Sequence, residues 1–444
     1  MGKRLEMGRG QELYKRAKGL IPGGTQLLSK RPEMFLPDFW PSYYERASGC
    51  HVWDMDGREY TDMSYMGIGS NVLGYCDPDV DAAVVRVIQK GNMCTLNCHE
   101  EVELAERMCA IHPWAEMVRY AKSGGEAMSI AVRIARAATG RDIVLFSGYH
   151  GWHDWYLSAN LESPDTLSGV HLAGLEPNGV PKQLSGSSYV FHYNDFEKFS
   201  LLLDRFDGKI AAVVMEPIRS DYPADSFLQK IRDIATKNSI VMIFDEISSG
   251  MRLCLGGAHL ALGVEPDIAV FAKAVSNGYP QGIIIGMREF MEAAQTSFIS
   301  STNWTERIGL AAALATLEKY EKETAHIKLN EIGKAIQDGW AALAKKHGIG
   351  IHVGGINPLS HFSFDAAEPM ALKTYFTQEM LEEGFLASTA FYASYAHEGS
   401  DISAYIAACD RVFEKIAAIV KSGESIAKKL NGPVCHSGFY RLTK

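Results

Sequence analysis

Short apolar segments alternate with helix-like segments between about residues 118 and 290, and this alternation constrains the fold more than any other feature of the sequence. It is typical of βα units, which build a mostly parallel sheet. Phe227, Ile231 and Ile234 recur at helical spacing, so 227–238 is predicted to be a crossover helix over one sheet face. The predicted strands are VRYA at 118–121, IVLFS at 143–147, AAVVME at 211–216, IVMIFDE at 240–246, DIAVFAK at 267–273 and GIIIG at 282–286.

The pattern changes from about residue 306 onward. Apolar residues recur at helical spacing over 329–343, a strand-like HFSF follows at 361–364, and a last helix is predicted at 401–420. Near the other terminus, a short helix precedes a hairpin in which Asp56-Gly57 is a strong turn signal. These segments predict a second, smaller unit.

The length of 444 residues exceeds what a single core usually holds, so more than one domain is expected. The predicted fold class is α/β, with a large domain around the sheet and a small α+β domain built from both termini. We assign 1–60 to the small domain, 61–310 to the large domain and 311–444 to the small domain again.

The formal net charge of −9 argues against nucleic acid as a partner, because a phosphate backbone demands clustered Lys and Arg. No apolar run approaches the roughly 20 residues that a membrane helix needs. The N-terminal stretch MGKRLEMGRG carries no apolar run, and Glu6 stands where a myristoylation signal has Ser or Thr. We therefore expect a cytoplasmic protein that binds small molecules and neither membranes nor nucleic acid.

Eight cysteines are sparse for this length and lack the paired spacing of a zinc site. Cys94, Cys98 and His99 stand close together, but no second cluster of similar ligands accompanies them. We expect reduced thiols and no metal.

Two charged residues stand at the carboxyl ends of predicted strands, where open α/β sheets bind their ligands. Asp245 is either a helix cap, a member of a buried salt bridge, or the partner of a pyridinium nitrogen. Lys273 is either a lysine whose charged end reaches solvent or an amine whose charged form is disfavoured, as imine chemistry requires. The 28 residues between them suit one βαβ crossover, which would place them on neighbouring strands at one edge of the sheet.

Ser123, Gly124 and Gly125 follow a predicted strand and open a helix that runs to about Gly140. A helix N-terminus with glycines attracts phosphate, because free backbone N–H groups and the helix dipole point at it. The alternative is a plain strand-to-helix turn, which has the same appearance.

Taken together, these motifs resemble the class III pyridoxal-phosphate-dependent aminotransferases of fold type I, and most closely the glutamate-1-semialdehyde aminomutase branch. The similarity runs nearly from end to end. Its blocks are LIPGGT at 20–25, VWDMDGREYTDM at 52–63, LGYCDP at 73–78, SGGEA at 123–127, GYHGWHD at 148–154, MEP at 215–217, DEISSGMR at 245–252 and PDIAVFAKAVSNGYP at 266–280.

The resemblance implies pyridoxal 5'-phosphate as cofactor and a seven-stranded type of sheet. Lys273 would hold the cofactor as a Schiff base, Asp245 would bind its ring nitrogen, and Tyr149 and Ile247 would face opposite sides of the ring. Thr302 matches a threonine that in the family reaches the phosphate of the neighbouring subunit, which implies a homodimer with shared sites. The other cofactor-binding residues that the resemblance implies are Ser123, Gly124, Gly125, His150 and Glu216.

The sequence departs from the family pattern in two cofactor-side segments. Gly125 stands where the phosphate turn usually carries a hydroxyl, which leaves backbone donors and Ser123. Thr305, Glu306 and Arg307 replace the usual G-N-P after the phosphate threonine, which changes the loop expected at the dimer contact.

Further departures concern the substrate. Thr389 stands where the aminomutase has an acidic residue that engages amino groups, and Ile68 where it has tryptophan. Lys30 and Arg31 match best the arginine that meets the substrate carboxylate, although a solvated surface pair explains them equally well. We expect a substrate that bears an acid or a phosphate.

We predict a transaminase that uses a common amino-acid donor and a ketone or aldehyde acceptor of a specialised pathway, in a ping-pong cycle. An amine-shifting aminomutase is the nearest alternative, and an amino-acid racemase is the third. A non-catalytic module that binds pyridoxal phosphate is remote, because such modules accompany a DNA-binding domain and no basic recognition helix precedes residue 60.

Overall fold

A computed structural model describes residues 7–170 and 172–439. Residues 1–6, which include Glu6, lie outside this description. The described chain forms two compact units, one of Pro78–Ile327 and one of the segments that precede and follow it.

The strands are distributed over both units. They are β1 (Tyr44–Ser48), β2 (His51–Asp54), β3 (Glu59–Asp62), β4 (Met117–Ala121), β5 (Ile143–Ser147), β6 (Ser188–Val190), β7 (Ile210–Met215), β8 (Val241–Asp245), β9 (Ile268–Phe271), β10 (Gly282–Gly286), β11 (Ile351–Gly354), β12 (Leu359–Phe364), β13 (Phe385–Leu386) and β14 (Ala390–Tyr392).

The α-helices fill the segments between the strands. They are α1 (Arg9–Leu20), α2 (Met66–Gly69), α3 (Pro78–Gln89), α4 (Glu100–Ile111), α5 (Gly124–Thr139), α6 (Asp154–Leu157), α7 (Phe196–Arg205), α8 (Phe227–Lys237), α9 (Ala258–Leu262), α10 (Arg288–Met291), α11 (Arg307–Lys322), α12 (Ala325–His347), α13 (Pro369–Glu382) and α14 (Gly399–Ser422). Within the described residues, every helix is too short or too polar to cross a bilayer.

The unit Pro78–Ile327 contains a seven-stranded sheet in the order β4-β10-β9-β8-β7-β5-β6. β10 runs antiparallel to both of its neighbours, and the other pairs are parallel. Successive residues of one strand enter different cores, because side chains alternate across a strand. Val144 and Phe146 pack in the core that includes α5, whereas Ile143 and Leu145 pack in the core that includes α7 and α8. The predicted α/β class with a mostly parallel sheet is confirmed.

The other unit contains two smaller sheets, in the orders β1-β2-β3-β13 and β11-β12-β14. The hairpin β2-β3 turns where the sequence predicts, and Gly57 adopts a φ of 79° that suits glycine. The predicted last helix is α14, and the strand-like HFSF is the end of β12.

The boundaries between the units lie at 77/78 and 327/328, whereas the sequence suggests 60/61 and 310/311. Tyr75 pairs with Gly49 in an isolated β-bridge, which ties the segment after β3 to the unit made of the two terminal segments. α11 packs against α3 and α4, which keeps it with the large sheet.

Three predicted strands end earlier than the sequence suggests, and β8 does so by one residue, at Asp245. β9 ends at Phe271, because Lys273 has a left-handed φ of 50° and opens a 3-10 turn over Lys273–Ser276. β7 ends at Met215, and Pro217 has no N–H with which to continue the ladder.

Candidate active site

Charged and aromatic residues gather where parallel strands of the seven-stranded sheet end. Because β5, β7, β8 and β9 run parallel, their carboxyl ends meet at one edge. Asp245 is the last residue of β8, and Glu216 directly follows β7. Tyr149 and His150 follow β5, and Lys273 stands two residues beyond β9.

Asp245 is buried, and both of its carboxylate oxygens accept hydrogen bonds. Oδ2 lies 2.8 Å from Nδ1 of His150, and Oδ1 accepts from the backbone N–H of Ile247 at 3.0 Å. Nε2 of His150 lies 2.9 Å from the carbonyl oxygen of Ser147. Both ring nitrogens of His150 thus lie beside oxygen acceptors. A carboxylate oxygen accepts more than one bond, so Asp245 retains capacity for a further N–H donor.

Lys273 presents an amine that loses its proton more easily than an ordinary lysine. Its Nζ donates to Oγ of Ser248 at 2.8 Å. Burial, aided by the charge of Arg219, lowers the pKa of Lys273 to about 8, while Glu216 and Asp245 act in the opposite direction. A neutral amine is the form that attacks a carbonyl carbon.

Glu216 and Arg219 form a pair beside this amine. Nη1 of Arg219 lies 3.4 Å from Oε2 of Glu216, whose side chain is 10% exposed against 38% for the arginine. Burial raises the pKa of the Glu216 carboxyl, and the neighbouring Arg219 partly offsets this effect. The sequence-based reasoning missed Arg219, although it stands only three residues after Glu216 in MEPIR.

The turn Ser123–Gly125 has the geometry of an anion site. Ser123 is extended and does not cap α5 with its side chain, and the helix begins at Gly124. A Cβ atom on Gly124 would lie 2.8 Å from Cδ1 of Ile247, and one on Gly151 would lie 2.8 Å from Cα of Gly125. The glycines therefore permit a close approach of backbone segments around the first N–H groups of the helix.

A largely buried ion pair supports this turn from one side. Nζ of Lys122, the residue before Ser123, lies 2.5 Å from Oε1 of Glu306. The carboxylate of Glu306 also caps α11, because it accepts from the backbone N–H groups of Ile308 and Gly309 at 2.8 and 3.0 Å. Glu306, which departs from the family pattern, thus connects the residue before the glycine turn to the start of α11.

Two half-buried side chains complete the apolar part of the site. Tyr149 and Ile247 both pack against the core on the α5 side of the sheet. Burial, aided by the charge of Asp245, raises the pKa of the Tyr149 phenol. The Tyr149 phenol thus lies near the Asp245 carboxylate, which also accepts the backbone N–H of Ile247.

Each of the remaining predicted residues is described within its own unit. Thr302 lies in the same unit, where it is exposed and opens the 3-10 turn Thr302–Thr305. The substrate residues proposed from the sequence belong to the other unit: Lys30, Arg31, Ile68 and Thr389.

Lys30 and Arg31 do not form an exposed pair. Lys30 is exposed, but Arg31 is buried, with its guanidinium 5.3 Å from the ring centroid of Phe439. Ile68 adopts a left-handed φ of 59°, which β-branched residues rarely do. The carbonyl oxygen of Thr389 accepts from the backbone N–H of Phe362 at 2.8 Å.

This arrangement fits pyridoxal phosphate. The glycine turn offers backbone donors for a phosphate, Asp245 offers a buried carboxylate for a ring nitrogen, and Lys273 offers an amine with a lowered pKa. The glycine at 124 lets the Ile247 side chain approach the turn closely. The fold and the site together define a pyridoxal-phosphate enzyme of fold type I.

Comparison with known proteins identifies the family. The model of the class III aminotransferases matches residues 38–392. The 3-aminobutyryl-CoA aminotransferase of Cloacimonas acidaminovorans is 29% identical over 434 residues, which cover 95% of this chain and 100% of that protein. The glutamate-1-semialdehyde 2,1-aminomutase of Dechloromonas aromatica is 34% identical over 434 residues, which cover 92% and 99%. The solved structure of the FumI protein of Sphingopyxis sp. MTA144 superimposes with a TM-score of 0.84 at 26% identity, covering 95% and 99%.

The chain therefore belongs to the class III aminotransferase family. It is a pyridoxal-phosphate-dependent enzyme of that family. The resemblance that the sequence motifs indicate is confirmed, as is the cofactor.

Proposed function

We propose that the protein is a transaminase that moves an amino group, in a ping-pong cycle, from an amino acid to a ketone or aldehyde that bears an acid or a phosphate. The observation that carries this proposal is the position of Arg219, whose charge acts on the amine of Lys273 within the same unit. A cation beside the reacting amine suits an anionic substrate.

The residues at the sheet edge would have different roles in such a reaction. When bound, pyridoxal phosphate withdraws electrons from the α-carbon of the substrate through its protonated ring. Asp245, oriented by His150, would keep that ring nitrogen protonated. Lys273 would hold the cofactor and, once released, take the proton from the α-carbon. Ser123, Gly124 and Gly125 would hold the phosphate. Tyr149 and Ile247 would face opposite sides of the ring.

Arg219 presents a partly exposed cation to a substrate anion. Its Nη1 lies 3.4 Å from Oε2 of Glu216, and a guanidinium is suited to bind a carboxylate or phosphate. The side chain of Arg219 is partly exposed, whereas that of Glu216 is buried. An entering carboxylate or phosphate would therefore meet the arginine rather than the glutamate.

A spectral survey of half-reactions tests this function. Glutamate, alanine, diamines and amino-sugar phosphates are added singly, without acceptor, to the holoprotein while its visible spectrum is recorded. We expect one donor to remove the yellow absorbance and yield one equivalent of its keto product. Lys273→Ala is the control and should give no product with that donor. A holoprotein that remains yellow with every donor would contradict the transaminase.

An aminomutase is the alternative function, and one specific observation favours it. The chain is 34% identical to the aminomutase of Dechloromonas aromatica over nearly its whole length. The replacements at Ile68 and Thr389, which the sequence alignment places in the aminomutase pocket, argue against this function. Turnover of a semialdehyde or diamine alone, with no external acceptor, would establish the aminomutase.

A homodimer with shared sites completes the proposal. Phe298, four residues before Thr302, is 92% exposed, and a neighbouring subunit that reaches Thr302 would cover it. Thr302 itself is exposed, as expected for a residue that serves a neighbouring subunit. A reducing, cytoplasmic location is supported by the eight cysteines, all of which are free thiols.

A further inference from the structure

The hydroxyl of Ser248 lies 2.8 Å from Nζ of Lys273. Ser248 is 8% exposed, so water competes little for this contact. A hydroxyl is both a donor and an acceptor, and its hydrogen rotates to suit its partner. Ser248 is therefore able to accept from the ammonium form of Lys273 and to donate to its neutral form.

The turn that carries Ser248 is held in place by groups other than Lys273. The N–H of Gly250 donates to the carbonyl oxygen of Glu246 at 2.8 Å, and a Cβ atom on Gly250 would lie 2.6 Å from that oxygen. Oγ of Ser249 donates to Oε2 of Glu246 at 2.5 Å. Nε of Arg252 donates to the carbonyl oxygen of Ser248 at 3.2 Å. The Ser248 hydroxyl thus stands on a closed, buried turn.

Lys273 approaches the hydroxyl from a backbone that is also constrained. Its φ of 50° is left-handed, and it opens the 3-10 turn Lys273–Ser276. Because its pKa is lowered to about 8, mainly by burial, both the charged and the neutral amine are present near neutral pH. A group that is able to hydrogen-bond only one of these two forms of the amine would lose its hydrogen bond to Nζ when the protonation state changes.

We propose that Ser248 is a positioning residue that holds the released amine of Lys273 while this amine carries the substrate's α-proton. When the lysine takes that proton, the C–H bond breaks, its electron pair stays with the substrate, and a new N–H bond forms at Nζ. Because the neutral amine has a single lone pair, which must accept this proton, the Ser248 oxygen accepts an N–H of Nζ during the transfer. This inference rests on the proposed role of Lys273 as the cofactor-bearing amine.

The test measures the Lys273 amine in the apoprotein. Pyridoxal phosphate is added across about pH 6 to 10, the attachment is fixed with borohydride after a short fixed time, and the labelled peptide is quantified by mass spectrometry. The neutral amine adds to the aldehyde carbon and one water leaves, so the extent of attachment follows the fraction of neutral amine. For the wild type we expect attachment at Lys273 with a midpoint near pH 8.

In Ser248→Ala we expect the midpoint to fall by about 0.5–1 pH unit, because a hydrogen bond to the charged amine is stronger than one to the neutral amine. Ser248→Thr, which keeps a hydroxyl, should restore it. Ser249→Ala is the matched control, since its hydroxyl belongs to the same turn but bonds Glu246. An unchanged midpoint in Ser248→Ala, or an equal shift in Ser249→Ala, would overturn the inference. A wild type that carries the label elsewhere would instead refute the proposed role of Lys273.

Discussion

Oε1 of Glu246 lies 2.7 Å from Nδ1 of His259. Glu246 directly follows Asp245, the last residue of β8. Nε1–H of Trp114 donates to Nε2 of His259 at 3.1 Å, so this ring nitrogen accepts and the proton of the ring resides on Nδ1. Glu246 also accepts from Ser249 and from the backbone N–H of His259. The carboxylate is thus a buried acceptor surrounded by donors, on the turn that joins Asp245 to Ser248.

Loss of the Glu246 carboxylate is expected to destabilise the protein strongly. Glu246→Ala should lower the free energy of unfolding by about 3–5 kcal/mol, because it leaves several buried donors without their acceptor. Urea unfolding of the apoprotein measures this, with the exposed Glu265→Ala as control, for which a change within about 0.5 kcal/mol is expected. If both variants unfolded at the same urea concentration, the carboxylate would not stabilise the turn.

The buried His112 predicts a specific loss of stability in acid. Its Nε2 accepts from the N–H of Gly257 at 3.1 Å, and burial lowers its pKa to about 4 from an ordinary value of 6.5. Between these values the unfolded state binds more protons than the folded state, so stability rises with pH from about 4 to 6.5. The titration of His112 should change the free energy of unfolding by about 3 kcal/mol over this pH range.

Urea unfolding at a series of pH values tests this expectation. His112→Gln should be less stable than the wild type at pH 7, but its stability should depend less on pH between about 4 and 6.5. The exposed His192→Gln serves as the matched control and should retain the wild-type pH profile. A His112→Gln profile parallel to that of the wild type would assign the acid sensitivity to other groups.

The sequence predicts the main strands and the position of Asp245 because hydrophobic periodicity is a local signal. The strand IVMIFDE becomes β8 and ends at Asp245, within one residue of the prediction. The end of β9 is predicted less well, because an apolar run does not reveal that Lys273 will adopt a left-handed φ. That conformation depends on the turn that follows, whose geometry the pattern does not specify.

Contacts between distant segments account for what the sequence does not predict. Lys122 and Glu306 are 184 residues apart, and no local pattern pairs them. Ser248 and Arg219 come near Lys273 only because β7, β8 and β9 are neighbours in the sheet. For the substrate, the sequence indicated Lys30 and Arg31. Within the unit of Lys273, the cations whose charges act on its amine are Arg219 and, to a smaller extent, Arg252.

The ion pair between Lys122 and Glu306 is expected to support cofactor binding. Both side chains are largely buried, at 19% and 14% exposure, so separating the charges should be costly. Lys122→Met should weaken the binding of pyridoxal phosphate to the apoprotein, because the turn after residue 122 loses its support. Glu306→Gln removes the charge but keeps an oxygen that is able to cap α11.

A double-mutant cycle on the free energy of unfolding separates the pair from the cap. Lys122→Met, Glu306→Gln and the double variant should give a coupling of about 1–3 kcal/mol. The exposed pair Lys334 and Asp338, at 65% exposure each, is the control and should couple by less than about 1 kcal/mol. Equal coupling in both pairs would show that burial adds nothing to the Lys122 contact.

Mixing two defective variants tests whether Thr302 serves the neighbouring subunit. Lys273→Ala removes the amine, and Thr302→Ala removes a hydroxyl that is exposed in its own subunit. If the site is shared, a mixed dimer has one site with Lys273 from one subunit and Thr302 from the other, and one site that lacks both. Refolding the two variants together should therefore give about a quarter of the sites both side chains and raise the half-reaction activity above the average of the two variants. The cofactor affinity of these sites should likewise exceed that of either variant alone. Refolding each variant separately and then combining them, under conditions without subunit exchange, is the control. Activity no higher than the average of the two variants would show that Thr302 contributes to the site of its own subunit.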